Sequence, residues 1–128
     1  MKIFRYQAEH NKVYNRFIKL LNIKVSEVEK IDQIPFLPVE FFKSHQIISG
    51  SEEVQQVFSS SGTTGSVQSQ HFVTNLEVYE ESFVKGFEQF YGAVEDYTIL
   101  ALLPGYLERK GSSLIYMVDK LIEKSNSD

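Results

Sequence analysis

The segment VFSSSGTTGSVQSQHFV, Val57 to Val73, decides how this chain is interpreted. It places four serines, two threonines and two glycines within the ten positions from Ser59 to Gln68. Apolar runs flank these positions and predict strands over residues 54–59 and 71–74, with a further short strand at 47–48. Glycine and small hydroxyl residues are typical of turns, because they tolerate unusual backbone angles and bond nearby amides. The segment therefore predicts a β-hairpin that carries a Ser/Thr/Gly loop.

The residues before the hairpin predict short helical elements and an irregular stretch. Apolar residues at helical spacing predict a helix from about Ala8 to Leu21. Ser26 followed by Glu29 has the spacing of a capping box, which would open a short helical turn. Pro35 and Pro38 exclude a regular element in IPFLPVEFFKSH, residues 34–45. The aromatic residues expected to be buried in this stretch are Phe36, Phe41 and Phe42.

Helix and strand patterns alternate after the hairpin. Asn75 is a good N-cap for the next helix, and Gly92 is its C-cap candidate. The apolar stripe of this helix consists of Leu76, Tyr79, Phe83, Phe87 and Phe90. The run YTILALLP, residues 97–104, is continuously apolar, which suits a strand covered on both faces in a parallel sheet. A last amphipathic helix is expected from Ser112 to Lys124. Strand, helix, strand and helix in this order form a βαβ unit, so the predicted fold class is α/β.

Composition limits the possible function classes. The 128 residues are 42% hydrophobic, which is enough for one core of ordinary domain size. The net charge of −4 argues against a nucleic-acid scaffold, since such a scaffold needs a basic stripe to neutralise the many phosphates of a nucleic-acid backbone. The absence of cysteine excludes a disulfide framework, a thiolate nucleophile and a zinc–thiolate site. No run approaches the roughly 18 apolar residues of a membrane span, and no signal-peptide pattern is present. We therefore expect a cytoplasmic protein.

The chemistry of the loop suits an anion. Its glycines let backbone N–H groups point inward as a nest, and its hydroxyls add donors for phosphate oxygens. The loop is not a Walker A motif, because Gly62 and Gly65 are too close together and no lysine follows the second glycine. It is not a dinucleotide fingerprint either, since it precedes a strand rather than a helix. From composition alone, a flexible hairpin loop without a ligand remains the more frequent interpretation.

Longer blocks of the sequence resemble one enzyme family. The hexapeptide SSGTTG, Ser60 to Gly65, is similar to the phosphate-binding loop of the adenylate-forming enzymes. The blocks that carry the wider resemblance are LPVEFFKSHQI, FSSSGTTGSVQSQHFV, YEESFVKGFEQFYG and ILALLPGYLERKGSSLIYMVDKLI. In this order they resemble the LuxE-type acyl-protein synthetases. The resemblance covers nearly the whole chain from Leu37 onward, and the blocks together are far more specific than the hexapeptide.

This resemblance implies an ATP-dependent ligase. Such an enzyme activates a fatty or other acyl carboxylate as an acyl-adenylate and passes the acyl group to a protein acceptor. ATP and Mg²⁺ are the implied cofactors. The implied phosphate-binding residues are Ser60, Ser61, Gly62, Thr63, Thr64 and Gly65. Preorganised N–H and hydroxyl donors would stabilise the charge that develops on phosphate oxygens during the reaction.

The chain also departs from the wider superfamily. Val67, Gln68 and Ser69 stand where proline, lysine and glycine are usual, so the loop lysine is missing. Nothing matches the adenine- and ribose-binding segments or the C-terminal lysine of the superfamily, and there is no cysteine to accept the acyl group. We therefore expect a single domain that forms the N-terminal part of a larger acyl-activating domain. Its expected parts are a helical lead-in over about residues 1–36 and a family-like region over 37–128 with the phosphate loop at 59–69.

Further candidate site residues lie outside the loop. His71 begins the strand after the loop, within reach of a bound nucleotide or acyl group, and fits the family's pattern as a catalytic residue. A structural, hydrogen-bonding histidine is the alternative. Tyr106 and Arg109 follow the predicted buried strand at its carboxyl end, where α/β folds bind ligands, and are substrate-site candidates. The residues expected only on solvated surfaces are His10, His45, Glu80, Glu81 and Glu88.

Other functions stay open at this point. A phenylacetate-type CoA ligase would share a similar loop, although the block LLPGYLER favours the acyl-protein synthetase. A non-catalytic binding or interaction fragment would hold no ligand there. The partners implied for the full-length enzyme are an acyl carboxylate and a protein acyl acceptor. A sheet that ends after one βαβ unit leaves a strand edge unpaired and an apolar face uncovered, so a homodimer or a swapped oligomer is expected.

Overall fold

The computed structural model describes residues 1–60, 67–102 and 111–126. The α-helices are α1 (Lys2–His10), α2 (Lys12–Leu20), α3 (Phe41–Ser44), α4 (Leu76–Tyr91) and α5 (Ser113–Lys124). The strands are β1 (Gln56–Ser59) and β2 (Gln70–Val73). Short 3₁₀ turns lie at Val25–Glu27, Ile31–Gln33 and Val94–Asp96. No helix in these three ranges is long and apolar enough to cross a membrane.

The first two helices form a small apolar core. Phe4 and Ala8 of α1 cluster with Tyr14 and Ile18 of α2 and with Val28. Each of these side chains is buried, and Ile18 is only 2% exposed. The rings of Phe4 and Tyr14 meet edge-on, with 6.3 Å between their centroids. Burial of the apolar stripes therefore holds the two helices together.

Asn11 divides the predicted helix Ala8–Leu21 into two helices. Its backbone is extended, with φ −99° and ψ 108°, and it forms an isolated antiparallel bridge with Ser49. Its side-chain Oδ1 accepts a hydrogen bond from the Tyr14 N–H at 3.0 Å and so caps α2. The prediction of one continuous helix is wrong, because an asparagine side chain that bonds the backbone competes with the helical hydrogen bonds.

The segment between α2 and the hairpin also departs from its prediction. Ser26 lies inside the Val25–Glu27 turn rather than at its N-cap, so the predicted capping box is wrong. The Gln33 side chain instead accepts bonds from backbone N–H groups before the next turn, and it stabilises that turn in place of a serine. Residues 47–48 form no strand, since the backbone pairing nearby is the single bridge at Ser49.

Phe36 is exposed, although a buried position was predicted. Its side chain is 73% exposed. Ile34 and Leu37, on either side of it, pack against the N-terminal core instead. These smaller residues complete the core, so the prediction is wrong for Phe36. Phe41 and Phe42 are half-buried, in partial agreement with the prediction. They lie in α3, however, so the prediction of no regular element in residues 34–45 is wrong, because α3 begins after Pro38 and the prolines leave its residues free to be helical.

β1 and β2 form the predicted hairpin. They pair antiparallel, with Gln56 opposite Val73 and Phe58 opposite His71. Side chains alternate between the two faces of a strand, so these four residues share one face of the hairpin. Phe58 and Val73 are buried on that face, at 3% and 6% exposure. The hairpin therefore turns one apolar face toward the helices.

The two helices predicted after the hairpin are confirmed, and α4 has its predicted caps. Asn75 Oδ1 accepts a hydrogen bond from the Val78 N–H at 3.0 Å at the start of α4. Gly92 ends α4 with φ +91°, a backbone conformation that favours glycine. Ser112 caps α5 by accepting from the Ile115 N–H at 3.4 Å. Local sequence signals therefore fix both ends of α4 and the start of α5.

The predicted βαβ unit does not form in the described ranges. Their sheet consists of two antiparallel strands, and residues 97–102 are not in a strand. Leu100 and Leu102 are 91% and 101% exposed instead of covered on both faces. The prediction is wrong because an apolar run becomes a strand only where a neighbouring strand accepts its hydrogen bonds. Mixed helix and sheet agree with the coarse α/β class, whereas membership of a larger adenylate-forming domain stays a prediction.

Candidate functional site

Two serines close the base of the hairpin loop. The Ser60 N–H donates to the Ser69 carbonyl at 3.0 Å, and the Ser69 N–H donates to the Ser60 Oγ at 3.0 Å. This pair fixes the points at which the chain leaves and rejoins the hairpin. The Ser60 hydroxyl oxygen accepts the hydrogen bond from the Ser69 N–H, so the hydroxyl hydrogen is not used in that bond. The other predicted phosphate-binding residues lie outside the described residues, and they are Ser61, Gly62, Thr63, Thr64 and Gly65.

The chain returns to the base of the loop at Gly111. The Ser59 N–H donates to the Gly111 carbonyl at 2.8 Å, on the opposite edge of β1 from β2. Gly111 has φ +97°, a conformation that side chains disfavour. The substrate-site candidates Tyr106 and Arg109 precede this contact in the sequence and lie outside the described residues. The start of α5 is nevertheless anchored beside the hairpin loop.

A pocket of about 310 Å³ opens at the base of the loop. Its polar lining consists of Ser59, Ser60, Ser69, Gln70, His71 and Ser113. Its apolar lining consists of Val39, Phe42 and Phe58. This volume is at the lower end of the range for small-molecule sites, about 300 to 1,000 Å³. Hydroxyl and imidazole groups beside aromatic rings suit a ligand with an anionic group joined to an apolar one.

His71 lies in the wall of this pocket. Its side chain is exposed and shares the hairpin face with Phe58. The centroid of its ring is 6.5 Å from that of Phe58 and 6.0 Å from that of Tyr79. The structure thus brings Ser60 and His71, the two described members of the predicted site, to one pocket.

Three aromatic rings form the floor beneath the hairpin. The centroid of Phe58 lies 5.1 Å from that of Tyr79 on α4 and 5.3 Å from that of Tyr116 on α5. The two tyrosine rings are 6.2 Å apart. These separations fall within the favourable range for aromatic pairs, about 4.5 to 7 Å. The cluster therefore holds β1, α4 and α5 together directly below the pocket.

Hydrogen bonds position both tyrosines of this floor. The Tyr116 hydroxyl donates to the Glu80 Oε1, and this bond, followed by burial, raises the pKa of Tyr116. Burial raises the pKa of Tyr79, while a hydrogen bond with the Ser113 side chain opposes that shift. Glu80 is half-buried and bridges α4 to α5, so its predicted place on a solvated face is wrong. The reason is that α5 packs against this side of α4.

Other acidic and histidine residues lie away from the pocket. Glu81 is exposed and pairs with Lys85, whose hydrogen bond lowers the pKa of the Glu81 carboxyl. Glu88 is half-buried rather than fully solvated. His10 and His45 are exposed, as predicted, and each ring packs on a neighbouring aromatic residue. None of these four acidic and histidine residues lines the pocket at the hairpin loop.

Sequence reasoning missed several residues of the pocket wall. Gln70 could have been found from the hairpin register, which pairs it with Ser59. Ser113 carries no comparable signal, because its position depends on how α5 docks after residues 103–110. Phe42 was expected to be buried but not to line a site. Tertiary packing, rather than a local motif, places both Ser113 and Phe42 at the pocket.

The hydroxyls at the base of the loop fit phosphate oxygens, but the described residues form no metal cluster. Within residues 1–60, 67–102 and 111–126, no group of three or more His, Asp or Glu side chains could hold a metal ion. The hydrogen of the Ser60 hydroxyl is a donor suited to an anion, whereas the backbone N–H groups of Ser59, Ser60 and Ser69 bond to acceptors of the protein itself. The requirement for ATP and Mg²⁺ therefore stays a prediction.

Comparison with known protein families gives a match over most of the chain. The family model described as acyl-protein synthetase, LuxE, matches residues 1–92. The matched region contains α1 to α4 and the whole hairpin with its loop, whereas the run that begins at Tyr97 and α5 lie beyond it. No curated protein and no solved structure matches the chain.

Proposed function

Because this chain belongs to the LuxE acyl-protein synthetase family, we propose that it takes part in ATP-dependent activation of an acyl carboxylate and transfer of the acyl group to a protein. The observation that carries the proposal is the pocket at the base of the hairpin. All of its lining residues except Ser113 lie within the family match, and the pocket joins hydroxyl groups, an imidazole and aromatic rings. The family match favours this function over that of a phenylacetate-type CoA ligase.

In this proposal the hairpin loop binds the phosphates. Ser60, Ser61, Thr63 and Thr64 would donate hydroxyl groups, while Gly62 and Gly65 would give the backbone its shape. In the activation step a carboxylate oxygen forms a bond to the α-phosphorus, and the bond to the departing pyrophosphate breaks. Donors that are fixed before the reaction stabilise the charge on the phosphate oxygens without further reorganisation. Mg²⁺, when bound, would neutralise part of the same charge.

His71 and the more distant candidates have separate roles in the proposal. The His71 imidazole lies in the same pocket as Ser60, so it would contact the carboxylate or the phosphate at the reacting end. Tyr106 and Arg109 would contact the substrate from residues 103–110, which precede the contact between Gly111 and Ser59 in the sequence. The protein acceptor would approach this same pocket, since the activated acyl group is formed there.

Binding of inorganic pyrophosphate tests the phosphate role of the loop. With ¹⁵N-labelled protein and Mg²⁺, we expect saturable shifts of the Ser59, Ser60 and Ser69 amide signals. Ser60→Ala should weaken binding about tenfold, because it removes a hydrogen bond to a charged group worth roughly 1.5 kcal/mol. Ser26→Ala, an exposed serine outside the hairpin, should leave the dissociation constant unchanged. Equal weakening by both substitutions, or shifts confined to α4, would contradict the proposal.

We also propose that a second copy of the chain covers the exposed apolar run at residues 97–102. Leu100 and Leu102 are almost fully exposed, and burial of apolar surface contributes about 25 cal/mol per Å². Sedimentation velocity at micromolar concentration should therefore show a homodimer or swapped dimer. Leu100→Glu should shift the population to monomer, whereas Leu20→Glu, at a position 73% exposed on α2, should not. A monomeric unsubstituted protein would refute this association.

A further inference from the structure

A second, larger cavity lies beside α1 and α2. Its volume is about 510 Å³. The apolar residues of its wall include Ile3, Ile31, Ile34, Phe36, Phe42 and Ile47. Ile3, Ile31 and Phe36 are more than two-thirds exposed, at 78%, 70% and 73%. The cavity is therefore an apolar recess whose rim is also apolar.

The polar groups in this wall bond to the protein itself. The side chain of Asn11 is 3% exposed; its Oδ1 accepts from the Tyr14 N–H, and its Nδ2 donates to Gln7 and Ser49. The Tyr14 hydroxyl donates to the Pro35 carbonyl at 2.8 Å. Among the described residues, no buried side-chain nitrogen or oxygen atom is without a partner. The wall thus satisfies its own polar atoms and suits an apolar occupant.

Phe42 connects this cavity to the pocket at the hairpin loop. Its ring belongs to the wall of the apolar cavity and also to the wall of the pocket that contains Ser60 and His71. It projects from α3, the short helix between the N-terminal core and the hairpin. The two recesses are therefore adjacent and differ in polarity, one lined by hydroxyl and imidazole groups and the other by aliphatic and aromatic side chains.

We propose that the apolar cavity between α1 and residues 31–47 binds the hydrocarbon chain of the carboxylic acid whose carboxyl group lies at the hairpin pocket, with Phe42 as the residue that separates the two. This inference rests on the proposed function for the position of the carboxyl group. It adds a binding site for the hydrocarbon chain of the acid and a residue, Phe42, that determines which hydrocarbon chains fit. An elongated amphipathic ligand matches the order of the two recesses, because its charged end would meet donors and its tail would meet apolar walls.

The depth of the cavity should appear as a dependence on chain length. Each buried methylene contributes about 0.8 kcal/mol, which is roughly a fourfold gain in affinity. With unbranched saturated acids from octanoate to tetradecanoate, we expect affinity to rise by about this factor per methylene until the cavity is filled. Isothermal titration below the micelle concentration measures this series. An affinity that does not depend on chain length would overturn the proposal.

The location of the ligand is tested by methyl and amide NMR. Dodecanoate should shift the methyl signals of Ile34 and Ile47 in the cavity and the amide signal of His71 in the pocket. Methyl signals of Leu100 and Leu102, on the exposed run outside both recesses, serve as internal controls. Shifts at those leucines without shifts at Ile34 and Ile47 would mean that the acid binds the exposed run, and the assignment would fall.

A matched pair of phenylalanine substitutions separates binding from folding. Phe36 and Phe90 are 73% and 78% exposed, so a polar residue at either position should leave the fold intact. Phe36→Asp places a carboxylate at the cavity rim and should weaken dodecanoate binding about tenfold, since an apolar tail would have to desolvate a charge. Phe90→Asp, on α4 and outside the cavity, should have no effect. Equal dissociation constants for the two variants would refute the cavity as the site.

The two proposals can fail separately. Dodecanoate binding in the cavity without any pyrophosphate binding would support the hydrocarbon-chain site and contradict the phosphate role of the loop. Pyrophosphate binding at Ser60 without dodecanoate binding would do the reverse. Dodecanoate that shifts Ile34 and Ile47 but not His71 would refute the assignment of the carboxyl group to the hairpin pocket.

Discussion

Phe58→Ala is expected to lower the free energy of unfolding by about 3 to 5 kcal/mol, the usual cost of removing a buried phenylalanine ring. Phe58 is 3% exposed and packs on both Tyr79 and Tyr116. Its loss would leave a cavity between β1 and the two helices, which meet there. Urea unfolding, followed by far-ultraviolet circular dichroism, measures the change. The same variant should lose the pocket floor, so pyrophosphate binding should weaken as well.

A second phenylalanine provides the control for this prediction. Phe90 belongs to the apolar stripe that the sequence predicts for α4, yet its side chain is 78% exposed. Phe90→Ala should therefore change the free energy of unfolding by less than about 0.5 kcal/mol. If both substitutions cost the same, the aromatic cluster under the hairpin would not be the centre of this half of the molecule.

Local signals in the sequence predicted much of the fold. The cap at Asn75 and the glycine at position 92 act through neighbouring backbone atoms, so their effect does not depend on the rest of the chain. The hairpin was predicted for the same reason, because two short apolar runs flank a loop of turn-forming residues. Asn11 is also a typical N-cap residue, but the apolar residues at helical spacing on both sides of it predicted one continuous helix instead.

Signals that depend on distant partners were misleading. The run at residues 97–102 has the composition of a buried strand, but composition does not specify which strand would pair with it. Phe36 and Phe90 have the hydrophobicity of core residues, yet both side chains are mostly exposed. Ile34 and Leu37 pack against the core in place of Phe36, and Phe90 lies on the last turn of α4 in contact with solvent. Burial depends on tertiary arrangement, which a pattern in one segment cannot report. The division into a lead-in and a family-like region stays a prediction.

The candidate site was predicted in part for the same physical reason. Ser60 and His71 belong to one hairpin, so the sequence alone places them near each other. Ser113 and Phe42 reach the same pocket from α5 and α3, and only the packing of those helices brings them there. The hydroxyl-rich loop thus indicated the position of the candidate pocket, whereas its apolar side could be identified only from the structure.

Asn11→Ala is the second substitution with a large expected effect, about 2 to 4 kcal/mol of lost stability. An N-cap contributes about 1 kcal/mol, and the two further hydrogen bonds of the buried amide, to half-buried Gln7 and Ser49, contribute about 0.5 to 1.5 kcal/mol each. Asn11 has both roles, since its Oδ1 caps α2 and its Nδ2 donates to Gln7 and Ser49. It therefore ties the first two helices to the segment that leads into the hairpin.

Two further variants separate these contributions by urea unfolding. Asn75→Ala removes an exposed cap of the same geometry on α4, where no buried amide is involved, and should cost only about 1 kcal/mol. Asn11→Ser keeps a cap acceptor but removes the amide donor, so its cost should lie between those of Asn75→Ala and Asn11→Ala. Because Asn11 also forms the cavity wall beside Tyr14, Asn11→Ala should weaken dodecanoate binding, whereas Asn75→Ala should not. Equal stability losses for Asn11→Ala and Asn75→Ala would show that Asn11 acts as a helix cap alone and that its bonds to Gln7 and Ser49 contribute nothing.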